Sequence, residues 1–261
     1  LFRIYNTFSD LATKEVEMRK VLTPSIVCLL LLSFAVNPGF SEDASGVLKK
    51  MIDASGGRKA LENIKDTTIS GTFEITQMGM EGTMTIYHKE PNMLRQDIEV
   101  MGMLITNAFD GEVGWMVNPQ TGAAEELPEE RQEESKRGAL TYGNAVLLSP
   151  EKHGVTYKMK GEETVDDVKC VVLEQAFSDG HIVTMYVDAS TYLVYKSKQM
   201  ATGQTGTEVE SEVTFSDYKK VDGLTSPHLV TIMQDGEEFA VMSVSEIKFN
   251  SGLEDSHFKM E

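Results

Sequence analysis

Strict alternation of apolar and polar side chains over residues 81–119 narrows what this chain can fold into more than any other feature. Gly82, Met84 and Ile86 alternate with Thr83 and Thr85, the period of a strand with one apolar and one wet face. Lys89-Glu90-Pro91-Asn92 interrupts the run with a proline, which has no N–H for a sheet ladder. Alternation resumes over 93–100 and 103–109. Asp110-Gly111 then reads as the turn of a tight hairpin leading to Val113, Trp115 and Val117.

The flanking sequence extends the pattern. Val47, Leu48, Met51 and Ile52 share one face of a helix that starts near Ser45 and stops at Gly56-Gly57, with a further turn or two over 58–64. Ile69, Gly71, Phe73 and Ile75 alternate with Thr68, Ser70, Thr72 and Glu74 in a first strand. Pro128-Glu129-Glu130-Arg131 is a helix start, and an apolar stretch follows over 140–148. Strands are expected at 155–160, 168–177, 181–187, 193–200, 208–218, 229–234 and 238–249. Asp179-Gly180 and Asp235-Gly236 read as hairpin turns, and Asp222-Gly223 as part of a longer connection. The total is about eleven strands, which suits a curved, barrel-like sheet.

The order of landmarks matches a family. An aromatic, Lys89, Pro91-Asn92, Asp110-Gly111, Trp115 and Asn118-Pro119 are followed by Tyr186-Val187-Asp188, Phe215-Ser216-Asp217-Tyr218, Asp222-Gly223-Leu224 and Pro227-His228. This order resembles the LolA-like outer membrane lipoprotein-sorting proteins, which are periplasmic lipoprotein carriers. The resemblance implies a mainly β (α+β) fold: one curved antiparallel sheet forming an incomplete barrel, its concave face covered by helices. It places a lid over 128–149, with Leu140, Leu147 and Leu148 as its apolar residues. It also implies acyl chains of lipoproteins or other lipids as cargo, an inner-membrane donor and an outer-membrane acceptor. Carrier members have a basic residue just before the Pro-Asn step that helps fasten the lid. Glu90 stands there in this chain.

The first 41 residues read differently. Arg19-Lys20, an apolar run over 27–36 and small residues at Gly39 and Ser41 have the parts of a secretory signal, cleaved near Ser41. The run is shorter than the roughly 20 residues of a spanning helix. Met18 is the expected start, which leaves 1–17 as upstream sequence, 18–41 as the signal and 42–261 as one exported domain. Cys28 belongs to the signal, because Ile26 and Val27 precede it where lipid modification needs small residues. Cys170 is then the domain's one cysteine, without an internal disulfide partner, and its apolar neighbours predict an inert buried thiol.

Residues 42–261 hold 20 of the 24 Lys and Arg and 38 of the 41 Asp and Glu, a net charge of −18. Such a balance disfavours nucleic acid and anionic lipid surfaces and suits a diffusible monomer. The five histidines are scattered, and no zinc spacing, nucleophile elbow, phosphate loop or dinucleotide fingerprint is present. No catalytic residue, metal or cofactor is expected. Met78, Met80, Met84, Met93, Met101, Met103 and Met116 crowd the first half of the sheet; methionine adapts to irregular apolar partners. By alternation, the candidate cavity lining is Phe73, Ile75, Met84, Ile86, Leu94, Ile98, Met103, Ile105, Trp115 and Val117. Two rivals stand beside a carrier: an envelope interaction module that holds no lipid, and a hydrolase built from dispersed acids or from His88 and His181.

Overall fold

The computed structural model describes residues 43–118, 121–203 and 207–260. The expected signal, start site and cleavage point lie outside these residues. Helix α1 (Ala44–Ala54) is capped by Asp43, whose carboxylate accepts from the Gly46 N–H, and α2 (Arg58–Glu62) follows. The first sheet half comprises β1 (Asp66–Ile75), β2 (Met80–Lys89), β3 (Met93–Val100), β4 (Met103–Phe109), β5 (Gly114–Val117) and β6 (Ala124–Glu126). Helices α3 (Glu129–Tyr142) and α4 (Ala145–Leu148) lead to β7 (Val155–Val165), β8 (Val168–Phe177), β9 (Ile182–Asp188), β10 (Val194–Thr202) and β11 (Glu208–Ser216). A small hairpin, β12 (Lys219–Val221) with β13 (Leu224–Ser226), precedes β14 (Leu229–Gln234) and β15 (Glu237–Phe249).

Thirteen strands form one antiparallel sheet in the order β6-β5-β4-β3-β2-β1-β15-β14-β11-β10-β9-β8-β7, and β12-β13 stands apart. The fold class is as expected: one open, curved, mostly antiparallel sheet with few helices. The strand number exceeds the expected eleven because β6, β12 and β13, of three residues each, are too short for alternation to register. Two turns also differ. Asp222-Gly223, with φ of 50° and 87°, closes β12 on β13 directly, as Asp235-Gly236 closes β14 on β15. Asp110-Gly111 opens a four-residue loop in which the Asp110 carboxylate accepts from the Glu112 and Val113 N–H groups.

The strand order makes the chain between β6 and β7 special, because these are the two unpaired edges and α3 and α4 are what connects them. Register places one apolar face under those helices. Leu173, Met185, Ser197, Val213, Ile232, Ala240, Ile75 and Met80 pair in succession across it. At one flank Phe73, Met84, Ile86, Leu94 and Phe109 form a core with Ala139 of α3. At the other, Val47 and Met51 of α1 pack on Val171, Leu173 and Val187, and Leu140 and Val146 pack on Val155, Phe177 and Val183.

The C-terminal segment holds the opposite face. Asp66, 3% exposed, accepts from the Ser251 N–H at 2.7 Å, its hydroxyl at 2.8 Å and the Gly252 N–H at 3.0 Å. Burial alone would raise this carboxyl, but these donors outweigh it and hold it below the ordinary 3.8. Asp66→Asn is expected to destabilise the protein by about 1–3 kcal/mol at pH 7. Since the folded-state pKa is depressed, the carboxylate's contribution is present above pH 3.8 and fades as pH falls below it. Urea titrations of both proteins at pH 7 and 3 measure it.

Candidate functional site

The covering helices form a strap that is tied down at several points. Gln132 of α3 imitates a strand at the edge: its Oε1 accepts from the Gly114 N–H at 2.7 Å, and its Nε2 donates to the Leu127 and Gly114 carbonyls. Gln96 donates to the Tyr142 hydroxyl at 3.0 Å. Arg137 pairs with Asp179 in the β8–β9 turn, so α3 is held to both halves of the sheet. Arg58 of α2 donates to the Leu148 carbonyl at the end of α4.

Between α3 and α4 sits a clasp. His88, 2% exposed, projects from β2 and donates through Nε2 to the Ala139 carbonyl at 3.1 Å. Two residues on, Glu90 accepts from the Asn144 N–H at 2.7 Å. A Cβ on Gly143 would lie 2.3 Å from His88 Cε1 and 2.9 Å from Glu90 Oε1, so only glycine lets the helix turn approach this closely. Glu90 therefore fastens the strap by accepting from backbone, where the resemblance implies a basic donor. Burial pulls the His88 imidazole down to about 4, against the Ala139 carbonyl, which favours the charged ring. Burial raises the Glu90 carboxyl, opposed by the Asn144 N–H.

Of the expected lining, Phe73, Met84, Ile86 and Leu94 are on the inner face but buried in the flank core. Ile75, Ile98 and Ile105 are half-buried beside it, and Met103 stands at the rim, 51% exposed. Trp115 and Val117 are corrected. Asn107 pairs with Met116 and Ala108 with Trp115, so Trp115 and Val117 point to the outer face. There the Trp115 indole donates to the Phe258 carbonyl at 2.8 Å under the C-terminal segment. A hollow of about 300 Å³ beside Trp115, lined by Asp110, Glu126 and Lys259, is thus an outer-surface feature. Leu140, Leu147 and Leu148 do lie in the strap, docked into the flank clusters.

What alternation in the first half missed is the middle of the inner face. Val213 and Phe215 of β11, Val230 and Ile232 of β14, and Met242 and Val244 of β15 are half-buried there. They lie between the flank packed under α3 and the flank packed under α1 and α4, and together form an apolar trough. It continues past Ile75 and Met80 to a rim where Met78, Met101, Met103 and Leu104 are exposed, Met101 by 78%. The half-open cleft beneath α3, between Leu94, Gln96 and Tyr142, holds about 260 Å³, below the roughly 300–1,000 Å³ of small-molecule sites. His88 and His181 serve separate contacts, to Ala139 and Gln199. No cluster of three or more His, Cys, Asp or Glu suited to a metal occurs among the described residues. Cys170 is fully buried, and burial raises its thiol pKa.

A family model described only as "Uncharacterized protein" matches residues 93–261, more than half of the sequence. The chain belongs to that family. No curated protein matches it in sequence. Among solved structures, it is similar to a DUF1329 family protein from Desulfovibrio piger, with TM-score 0.57 and 16% identity over 82% of this chain and 96% of that one. A putative outer membrane lipoprotein-sorting protein domain from Vibrio parahaemolyticus gives 0.56 and 14% over 81% and 95%. A LolA superfamily protein from Nitrosomonas europaea gives 0.55 and 14% over 83% and 97%. The fold is LolA-like. In this LolA-like chain the open part of the inner face is centred on β11, β14 and β15.

The clasp generates a pH test. Between pH 6.5 and about 4 the unfolded chain binds a proton at residue 88 that the folded chain excludes, so His88 makes stability fall as pH drops through this window. The full loss is about 3 kcal/mol. Glu90, with its raised folded pKa, acts in the opposite sense. His88→Asn is expected to flatten the wild-type loss of unfolding free energy between pH 7 and 4.5, read by chemical denaturation at each pH.

Proposed function

We propose that this protein is an acyl-chain carrier of the cell envelope: it takes the chains of a lipoprotein or another lipid into the trough and carries them toward the outer membrane. The observation that carries the reading is the apolar strip that runs half-buried from Val213 and Ile232 through Met242 and Ile75 and ends at the exposed Met103 on the rim. Soluble proteins rarely leave so continuous an apolar surface without a ligand or partner for it. Each methylene buried there contributes about 0.8 kcal/mol, so one acyl chain is held firmly without any covalent step.

The strap supplies the variable cover. Its ties combine hydrogen bonds and an ion pair with the apolar docking of Ala139, Leu140 and Val146, and its release would join the cleft beneath α3 to the trough. Export fits this role, with the signal over 18–41 removed near Ser41 and the acidic domain diffusing as a monomer between a donor at the inner membrane and an acceptor at the outer. No helix among the described residues is long and apolar enough to cross a membrane. The reading is one of binding, with no catalytic step assigned.

A second reading has one observation in its favour. The small cleft under the docked strap suits an interaction module whose trough receives an apolar segment of a partner protein. Lipid content separates the two. Protein isolated from its source cells is expected to yield acyl lipid on organic extraction, and the delipidated protein to take up a fluorescent fatty acid saturably. Phe215→Ser with Ile232→Ser should weaken uptake at least fivefold, whereas Thr72→Ser on the outer face should leave it unchanged. No extracted lipid and no uptake would reject the carrier.

A further inference from the structure

The trough is not apolar throughout. Along its rim-side margin, Gln175 pairs with Val183, Val183 with Gln199, Gln199 with Ser211, and Ser211 with Gln234, so one transverse row of the inner face carries four uncharged polar side chains. The neighbouring rows on the side away from the rim, through Val213, Ile232, Phe215 and Val230, are apolar apart from Ser197.

Two of these four side chains are deeply placed. Gln175 is 4% exposed and Ser211 5%. Gln175 donates through Nε2 to the Tyr157 hydroxyl at 2.7 Å, and Gln199 Oε1 meets His181 Nε2 at 2.9 Å. The Ser211 hydroxyl and the Gln234 amide have no hydrogen bond to another described residue, and the second polar atom of Gln175 and of Gln199 has none either. The unpaired atoms of these side chains are open to solvent and not sealed in the core. A row of four beside an apolar trough, with donor and acceptor capacity left over, has the form of a subsite for something polar.

We propose that this row seats the uncharged head of a single-chain amphiphile, its hydroxyl, ester or amide groups bonded to Gln199, Ser211 and Gln234, while the tail lies on Val213, Phe215 and Ile232. The proposal rests on the carrier reading and specifies its cargo. Charge selects the head. The row from Gln175 to Gln234 contains no ionisable side chain, and a charged head placed there would be desolvated without a counter-ion. Of the groups bordering it, Glu237 stands opposite Gln234, Glu134 and Asp179 are already paired with Arg131 and Arg137, and the His181 ring meets Gln199. An anionic head would be desolvated with no Lys or Arg in the row to pair with. A cationic head would have to lie outside the row, at Glu237.

The test compares three ligands with the same 16-carbon chain, all below their critical micelle concentrations: a monoacylglycerol, the free fatty acid, and an alkyltrimethylammonium. Binding to the delipidated full chain is measured by calorimetry and native mass spectrometry. The monoacylglycerol is expected to bind at least tenfold more tightly than either charged ligand. Ser211→Ala and Gln199→Leu, made singly and together, are expected to reduce that preference to threefold or less by weakening the monoacylglycerol. Thermal unfolding of each variant confirms its fold, and Ser211→Ala removes a single oxygen. Equal affinity for the three heads, preference for a charged one, or an undiminished preference in the folded variants would overturn the head-group assignment and leave the carrier reading standing. Failure of all three ligands to bind would overturn the carrier reading and the assignment with it.

Discussion

An antiparallel sheet of thirteen strands that does not close on itself must cover an apolar inner face with something other than another sheet, and the rest of this structure follows from that constraint. The chain meets it with the segment that joins the two edge strands. Helices α3 and α4 leave one edge at β6 and reach the other at β7, so the link that completes the topology is also the cover. Because the helices are few and short, they cover the flanks and leave the middle of the face half-exposed. The trough is what remains when an open sheet is only partly roofed.

Different interactions hold the flanks and the strap. Flank packing is apolar and extensive, with Phe109, Leu173, Val155 and Val187 nearly or wholly removed from water. The strap adds polar contacts to backbone, at Gly114, Ala139, Asn144 and Leu148, to the apolar docking of Ala139, Leu140 and Val146. Such bonds contribute about 1 kcal/mol net each. Gly143 shows how closely the attachment is fitted, since even one methyl group there would collide with both His88 and Glu90.

Acidity shapes the surface outside this frame. No Lys or Arg occurs from 96 to 130, a span that includes the exposed Met101, Met103 and Leu104. The rim segment is therefore apolar and carries no basic side chain of its own.

Much of the architecture could be read along the chain because strand pairing here is local. β1 to β6 and β7 to β11 pair with their sequence neighbours, so alternation and turn residues suffice to place all of these but the three-residue β6. The candidate site was legible only in part. Phe73, Met84 and Ile86 have the correct parity, but periodicity cannot distinguish a residue under Ala139 from one left open. Trp115 failed for a specific reason. The four-residue loop after Phe109 sets its own register, so Trp115 pairs with Ala108 and faces outward, though it is as greasy as its neighbours.

The sequence by itself determined most of the strands and helical segments, because period and turn chemistry are local properties, while the open sheet with a helical cover was what its family resemblance implied. Only the tertiary structure decided which apolar residues are core and which form the trough, that Glu90 grips backbone, and that Gln175, Gln199, Ser211 and Gln234 share one row. The pairing of β1 with β15 and of β11 with β14 joins segments distant in the chain. Exposure and adjacency depend on which distant segments meet, and a one-dimensional pattern does not contain that information.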